Sequence, residues 1–228
     1  MLIYICGDSF CTSDPAYGTS WVDKFTASVP EHRVVNLAVP GASNYLIYLQ
    51  VKEALSKNCD YLIYHATSSI RYEFKIADSM VDVDHAYRYN LLNNVDPTMV
   101  CGSWYYLAKH HNQFISADQQ NTISKFFSEF VDINNLIEKN KIFIEHTLSK
   151  INSSTVKGWA WSQGGFEHPS FAGSSSQEYF TDYKYKEVDI NLWDYYDKKR
   201  MRPYFHVDDP AIVQKVYSQT KEMLKLHI

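Results

Sequence analysis

Several features that would indicate a nucleic-acid-binding or membrane protein are missing from this chain. No block of lysine and arginine occurs, so the positive patch that nucleic-acid binding needs is not indicated. No run approaches the roughly 18 apolar residues of a membrane span, and the N-terminus has neither the basic nor the long apolar segment of a signal peptide. We therefore expect a soluble, cytoplasmic protein with no membrane span and no nucleic-acid partner.

Sequence motifs for metals and common cofactors are also missing. The four cysteines form no Cys-x-x-Cys pair, and no His-Glu-x-x-His pattern occurs, so a zinc site is not expected. The glycine-rich loops that bind dinucleotides and nucleoside triphosphates are missing as well, and so is the Gly-x-Ser-x-Gly elbow of α/β-hydrolases. The chain is predicted to need neither a metal nor a cofactor. Cys6 and Cys59 fall in or beside apolar segments and are interpreted as reduced core thiols.

What is present is an ordinary globular composition with many aromatic residues. The 228 residues are 45 % hydrophobic and 21 % charged with a net charge of −4, which predicts a single domain over 1–228 with a sizeable core. Aromatic residues make up 15 %, including 18 tyrosines. Many lie in two long segments without periodicity, 70–116 and 162–200, which we predict to be packed aromatic loops.

Apolar runs and helical patterns alternate along the chain. Short buried strands are predicted at Leu2–Cys6, Arg33–Leu37, Tyr61–Tyr64 and 156–161, with a fifth at 203–205. Helices are predicted between them at 21–29, 45–57 and 118–151, the last with a bend near Asn140 or a strand at 141–145, and a final helix starts at Pro210. This order predicts a three-layer, flavodoxin-like α/β fold, with about five parallel strands and helices on both faces.

Polar residues follow the carboxyl ends of these strands, which meet at one edge of a parallel sheet. Ser9 follows the first strand, Gly41 the second, and Thr67 and Ser68 the third, while His206 precedes the last helix. Ser9 could be a nucleophile, a helix cap or a phosphate contact. A serine, a histidine base and a free backbone N–H are the parts that acyl transfer requires. Asp8 is interpreted as a hydrogen-bond acceptor that fixes the loop.

In these residues the chain resembles the SGNH (GDSL-type) hydrolases. The first block of that family is matched by Gly7-Asp8-Ser9, the second by Gly41 and the last by His206. The resemblance implies that Ser9 is the nucleophile, that His206 is the base, and that the N–H groups of Ser9 and Gly41 line the oxyanion hole. No motif is matched between residues 70 and 200.

Two positions depart from the family pattern. In place of the third block, Gly-x-Asn-Asp, the chain has His65-Ala66-Thr67-Ser68, so Thr67 or Ser68 would supply the third oxyanion donor. The position of the family aspartate holds Pro203. An acid that orients His206 would then come from Asp194, Asp197 or Asp208, although Asp208 is too near in sequence to reach the far ring nitrogen easily.

The sequence thus predicts a serine esterase, acyl hydrolase or acyltransferase that acts on a small-molecule or glycan ester. Two alternatives stay open: a catalytically silent binding or structural relative, and a flavodoxin-like protein that binds a nucleotide or phosphate.

Overall fold

The main sheet is built from four parallel strands. The computed structural model describes residues 1–13, 20–67, 71–75, 99–103, 117–162 and 210–225. The strands of this sheet are β1 (Leu2–Cys6), β2 (Arg33–Asn36), β3 (Tyr61–Ala66) and β6 (Lys157–Ser162), in the order β2-β1-β3-β6. β1 is central, with Ile3 paired to Val34 on one side and to Tyr61 on the other. The predicted parallel α/β sheet is therefore confirmed, whereas the candidate fifth strand at 203–205 lies outside the described residues.

The described residues form five helices, of which four pack in two pairs. The helices are α1 (Trp21–Ser28), α2 (Asn44–Ser56), α3 (Ala117–Phe130), α4 (Ile133–Ser153) and α5 (Pro210–Lys225). α2 packs against α4, and α1 packs against α5. Right-handed crossovers explain this division, because the chain moves one way from β1 to β2 and the opposite way from β2 to β3 and from β3 to β6. Helix α1 thus lies on one face of the sheet, and α2 and α4 lie on the other.

The core lies between these layers and centres on β1 and β3. Ile3, Ile5, Leu62 and Ile63 are fully buried, as expected for strands that helices cover on both faces. Local signals fix the helix starts. Ser20 and Asp23 form a capping box at α1, and Ser43 Oγ accepts from the Leu46 amide at the start of α2.

The prediction of one long helix over 118–151 with a bend near Asn140 is wrong. The structure has two helices, α3 and α4, separated at residues 131–132, where the Asp132 side chain caps the second by accepting from the Asn134 amide. Asn140 lies inside α4 and is buried. The alternative strand at 141–145 is also wrong, because these residues are helical. The apolar stripe continues through both helices, so the hydrophobic periodicity of the sequence does not indicate the break between them.

The segment 70–116 is not entirely irregular. β4 (Arg71–Lys75) and β5 (Met99–Ser103) pair antiparallel as a separate two-stranded sheet. The rest of this segment and almost all of 162–200 lie outside the described residues. Within the described part of the chain, no helix has the length and apolarity that crossing a bilayer requires.

Candidate active site

The candidate site lies where the strand order of the main sheet reverses. β1 has β2 on one side and β3 on the other, and in open α/β sheets ligands bind beyond the carboxyl ends of the strands at such a reversal. Gly7-Asp8-Ser9 leaves β1 at this point, and Thr67 follows β3. The segment after β2 joins them, because the Val39 amide donates to the Gly7 carbonyl at 3.2 Å.

The turn that carries Ser9 is a short 3₁₀ segment, Ser9–Cys11. Asp8 Oδ1 accepts from the Phe10 amide at 3.0 Å, and the Asp8 carbonyl accepts from the Cys11 amide at 2.9 Å. The Ser9 carbonyl accepts from the Thr12 hydroxyl at 2.9 Å. The interpretation of Asp8 as a loop-fixing acceptor is confirmed.

Ser9 itself is 6 % exposed, and its hydroxyl and amide make no hydrogen bond to another residue in the described part of the chain. A hydroxyl held in a tight turn without a competing partner can approach a bound electrophile, and an amide beside it can donate to a developing negative charge.

Gly7 has no room for a side chain. A Cβ at this position would lie 2.8 Å from Cys11 Sγ and 3.0 Å from His65 Cβ. Gln50, which is fully buried on α2, pairs with both polar backbone groups of Gly7: Oε1 accepts from the amide at 2.7 Å, and Nε2 donates to the carbonyl at 3.1 Å. Helix α2 therefore fixes the exit of β1 at the residue two positions before Ser9.

A buried charge cluster surrounds the Asp8 carboxylate. Oδ2 accepts from the Thr67 hydroxyl at 2.6 Å and lies 2.9 Å from Arg71 Nη2, while Oδ1 lies 3.2 Å from His65 Nδ1. Burial alone would raise the pKa of the Asp8 carboxyl. The Arg71 guanidinium, the His65 ring and the Thr67 hydroxyl outweigh that effect and together hold the pKa well below its usual range. Asp8 is therefore a carboxylate at neutral pH.

The loop after β2 adopts a conformation that favours glycine. Gly41 has φ of 76°, a left-handed value at which a side chain is strained. The Ala42 amide closes the turn by donating to the Val39 carbonyl at 3.1 Å. Within the described residues, the Gly41 amide makes no hydrogen bond. Arg71 Nη1 donates to the Ala42 carbonyl at 2.9 Å, so the Arg71 side chain connects this loop to Asp8.

Some of the predicted site residues are described by the structure, and the others lie outside the described residues. Ser9 and Gly41 both lie at the carboxyl edge of the sheet, on loops joined by the bond from Val39 to Gly7. Thr67 is buried, but its hydroxyl proton is given to Asp8 and its amide donates to Asn44 Oδ1 at 3.0 Å. The remaining predicted site residues lie outside the described residues: Ser68, Asp194, Asp197, His206 and Asp208. In the described part of the chain, no group of three His, Cys, Asp or Glu side chains could hold a metal ion.

Gln50, His65 and Arg71 also lie at the site, and none of them has a role predicted from the sequence. Gln50 had a usable signal, because it stands in the apolar stripe of α2 beside Ile47, Val51 and Ala54. A polar residue at a core position needs a buried partner. His65 likewise interrupts the apolar β3. Arg71 lies beyond the end of β3 and interrupts no apolar stripe or strand, so the sequence does not indicate that it has a buried partner.

Comparison with known proteins finds a likeness in fold. No family model matches the chain, and no curated protein matches it. Among solved structures, the psychrotrophic esterase EstA from Pseudoalteromonas sp., inhibited by monoethylphosphonate, has a TM-score of 0.54 at 10 % identity, over 98 % of both chains. LAE5, an α/β hydrolase enzyme from the metagenome of Lake Arreo, Spain, has a TM-score of 0.49 at 11 % identity, over 100 % of this chain and 96 % of its own. The chain thus has an α/β fold that it shares with EstA.

Proposed function

We propose that this protein is a serine hydrolase of the SGNH type that acts on an ester, with Ser9 as the nucleophile. The observation that carries this proposal is the Ser9 turn: a serine directly after the central strand, at the strand-order reversal, whose hydroxyl has no partner in the described part of the chain. Ligands of open α/β sheets bind at the carboxyl edge beside such a reversal.

In the proposed mechanism, Ser9 Oγ attacks the ester carbonyl while His206 takes the hydroxyl proton. The negative charge that develops on the carbonyl oxygen is stabilised by the amides of Ser9 and Gly41. His206 then gives the proton to the leaving alcohol, and water releases the acyl group from Ser9 by the same route in reverse. Asp194, Asp197 or Asp208 would orient His206.

Two further observations support an ester as the substrate. Gly7-Asp8-Ser9, Gly41 and His206 resemble three blocks of the SGNH hydrolases, and that resemblance implies an acyl-transfer site. EstA, which shares the fold, is an esterase inhibited by a phosphonate, and a tetrahedral phosphonate resembles the intermediate of ester hydrolysis. We propose an acyl or acetyl ester, including one carried on a carbohydrate, with either water or an alcohol as the acceptor.

Hydrolysis of short-chain nitrophenyl esters tests this proposal. Ser9→Ala should lower the rate by about 10³-fold or more, because removal of a nucleophile leaves only binding and oxyanion stabilisation. The matched control is Ser128→Ala, which removes an exposed hydroxyl on α3 whose one bond within the described residues is to the Lys125 carbonyl, and it should keep the wild-type rate. Equal rates in wild type and Ser9→Ala would contradict the proposal.

One observation favours a second candidate, a catalytically silent protein with this fold. The Thr67 hydroxyl, a proposed third oxyanion donor, gives its proton to Asp8 at 2.6 Å, which leaves the two backbone amides as the described donors. A folded wild-type protein that neither hydrolyses esters nor reacts with a fluorophosphonate would favour this candidate.

A further inference from the structure

Arg71 connects the two loops that carry the proposed oxyanion donors. Its Nη2 lies 2.9 Å from the carboxylate of Asp8, the residue before Ser9. Its Nη1 donates at 2.9 Å to the carbonyl of Ala42, the residue after Gly41. One guanidinium therefore contacts the immediate neighbours of both amides.

The chemistry of this contact requires arginine. A guanidinium is planar and offers donors in fixed directions, so it can hold two acceptors at once, whereas a lysine ammonium is a compact point charge on a flexible stem. The Arg71 side chain is 12 % exposed and Asp8 is fully buried. Screening by water is therefore weak, and each contact is a charge-assisted hydrogen bond.

Strand β4, which carries Arg71, is attached to the helices of the main sheet by a second set of contacts. Glu73 Oε1 accepts from the Ser43 hydroxyl at the start of α2, and Glu73 Oε2 lies 3.5 Å from Lys139 Nζ on α4. Because Glu73 contacts α2 and α4 independently, loss of the Arg71 side chain should leave β4 in place. Loss of the Arg71 contacts should therefore change the positions of the two loops and not the position of β4.

We propose that Arg71 is a positioning residue for the oxyanion hole, which sets the Ser9 turn and the Gly41 loop at the separation that the transition state requires. This inference rests on the proposed function. Asp8 transmits the effect on one side, because its other oxygen accepts from the Phe10 amide and so fixes the turn around Ser9. The Ala42 carbonyl transmits it on the other side.

Steady-state kinetics on a nitrophenyl ester, with Arg71→Met, Arg71→Lys and the control Arg33→Met, test the proposal. Arg33 is exposed at the opposite end of the sheet, at the start of β2. Arg71→Met should lower kcat by about 10²-fold, comparable to loss of one oxyanion donor, with KM within about twofold of wild type. Arg71→Lys should fall between wild type and Arg71→Met, and Arg33→Met should match wild type. An unchanged kcat in Arg71→Met, or a raised KM with unchanged kcat, would overturn the proposal.

Amide hydrogen exchange supplies a readout that does not depend on activity. In Arg71→Met, two amides should lose protection: that of Phe10, which bonds the Asp8 carboxylate within the Ser9 turn, and that of Val39, which bonds the Gly7 carbonyl and joins the two loops. The Ile63 amide in the core should keep its protection. Unchanged protection of Phe10 and Val39 would overturn the positioning role. An inactive wild-type protein would instead refute the proposed function, and exchange alone would then decide the role of Arg71.

Discussion

Replacement of Gln50 by leucine tests how the exit of β1 is fixed. Gln50 is fully buried, and it bonds the Gly7 amide at 2.7 Å and the Gly7 carbonyl at 3.1 Å. Leucine has a similar size and no polar atoms. The Gly7 carbonyl would keep a donor in the Val39 amide at 3.2 Å, but the Gly7 amide would lose its acceptor.

The expected loss of stability follows from the Gly7 amide, which would be buried without an acceptor. A buried donor without an acceptor destabilises a protein by about 1–3 kcal/mol. For a chain of this length, each 1 kcal/mol lowers the melting temperature by about 2–4 °C. Gln50→Leu should therefore melt about 2–12 °C below wild type.

Gln50→Glu gives the same prediction a pH dependence. A glutamate carboxylate can accept from the Gly7 amide, but its second oxygen would face the Gly7 carbonyl without a proton to donate. A protonated glutamate could donate there as the glutamine does. The stability deficit of Gln50→Glu should therefore be smaller near pH 5 than near pH 8.

Thermal unfolding followed by circular dichroism measures both variants. The control is Thr220→Val, which removes a buried hydroxyl that, among the residues the structure describes, bonds only the Val216 carbonyl one turn earlier in α5 and leaves no donor without an acceptor. It should cost less than about 1 kcal/mol. If Gln50→Leu melts with or above Thr220→Val, Gln50 does not fix the β1 exit as argued.

The other predictions concern the site loops and use urea unfolding. Asp8→Asn removes a carboxylate whose pKa is held below its usual range in the folded protein. The stability that this carboxylate contributes is fully present above about pH 4, the pKa of an aspartate in the unfolded chain, and is lost as the pH falls further toward the folded pKa. Asp8→Asn should therefore be about 3 kcal/mol less stable than wild type at pH 7, and the difference should narrow toward pH 3. A difference in stability that stays constant with pH would contradict the ion-pair account. Gly41→Ala should cost about 1 kcal/mol because φ at this position is 76°, and a neutral result would show that the loop readjusts freely. Gly7→Ala should cost about 1–3 kcal/mol because its Cβ would meet Cys11 Sγ at 2.8 Å, and wild-type stability would refute that steric limit.

The four strands of the main sheet and the helices α1, α2 and α5 could be predicted from the sequence because their signals are local. Leu2–Cys6 is an apolar run that ends at a glycine, and the Ser43 cap before an apolar stripe predicts the start of α2. The placement of Ser9 and Gly41 at the carboxyl edge follows from the parallel topology alone.

Contacts between distant segments could not be predicted in the same way. The pairing of β4 with β5 joins residues 71–75 to 99–103 across a long intervening segment, and no local period indicates which strand would be the partner. The Asp8 cluster similarly gathers side chains from after β1, from β3 and from β4, and a single sequence does not show which buried polar residues satisfy one another. The break at 131–132 was missed because hydrophobic periodicity reports the buried face and not the continuity of the helix.

The central claim is that Ser9 is a nucleophile, and covalent labelling tests it most directly. The protein would be treated with a fluorophosphonate and digested, and the adduct located by mass spectrometry, with Ser9→Ala and Ser128→Ala treated in parallel. The account predicts one adduct, on Ser9, which is present in Ser128→Ala and absent in Ser9→Ala. An adduct on another residue that persists in Ser9→Ala, or no adduct on folded wild-type protein, would contradict it.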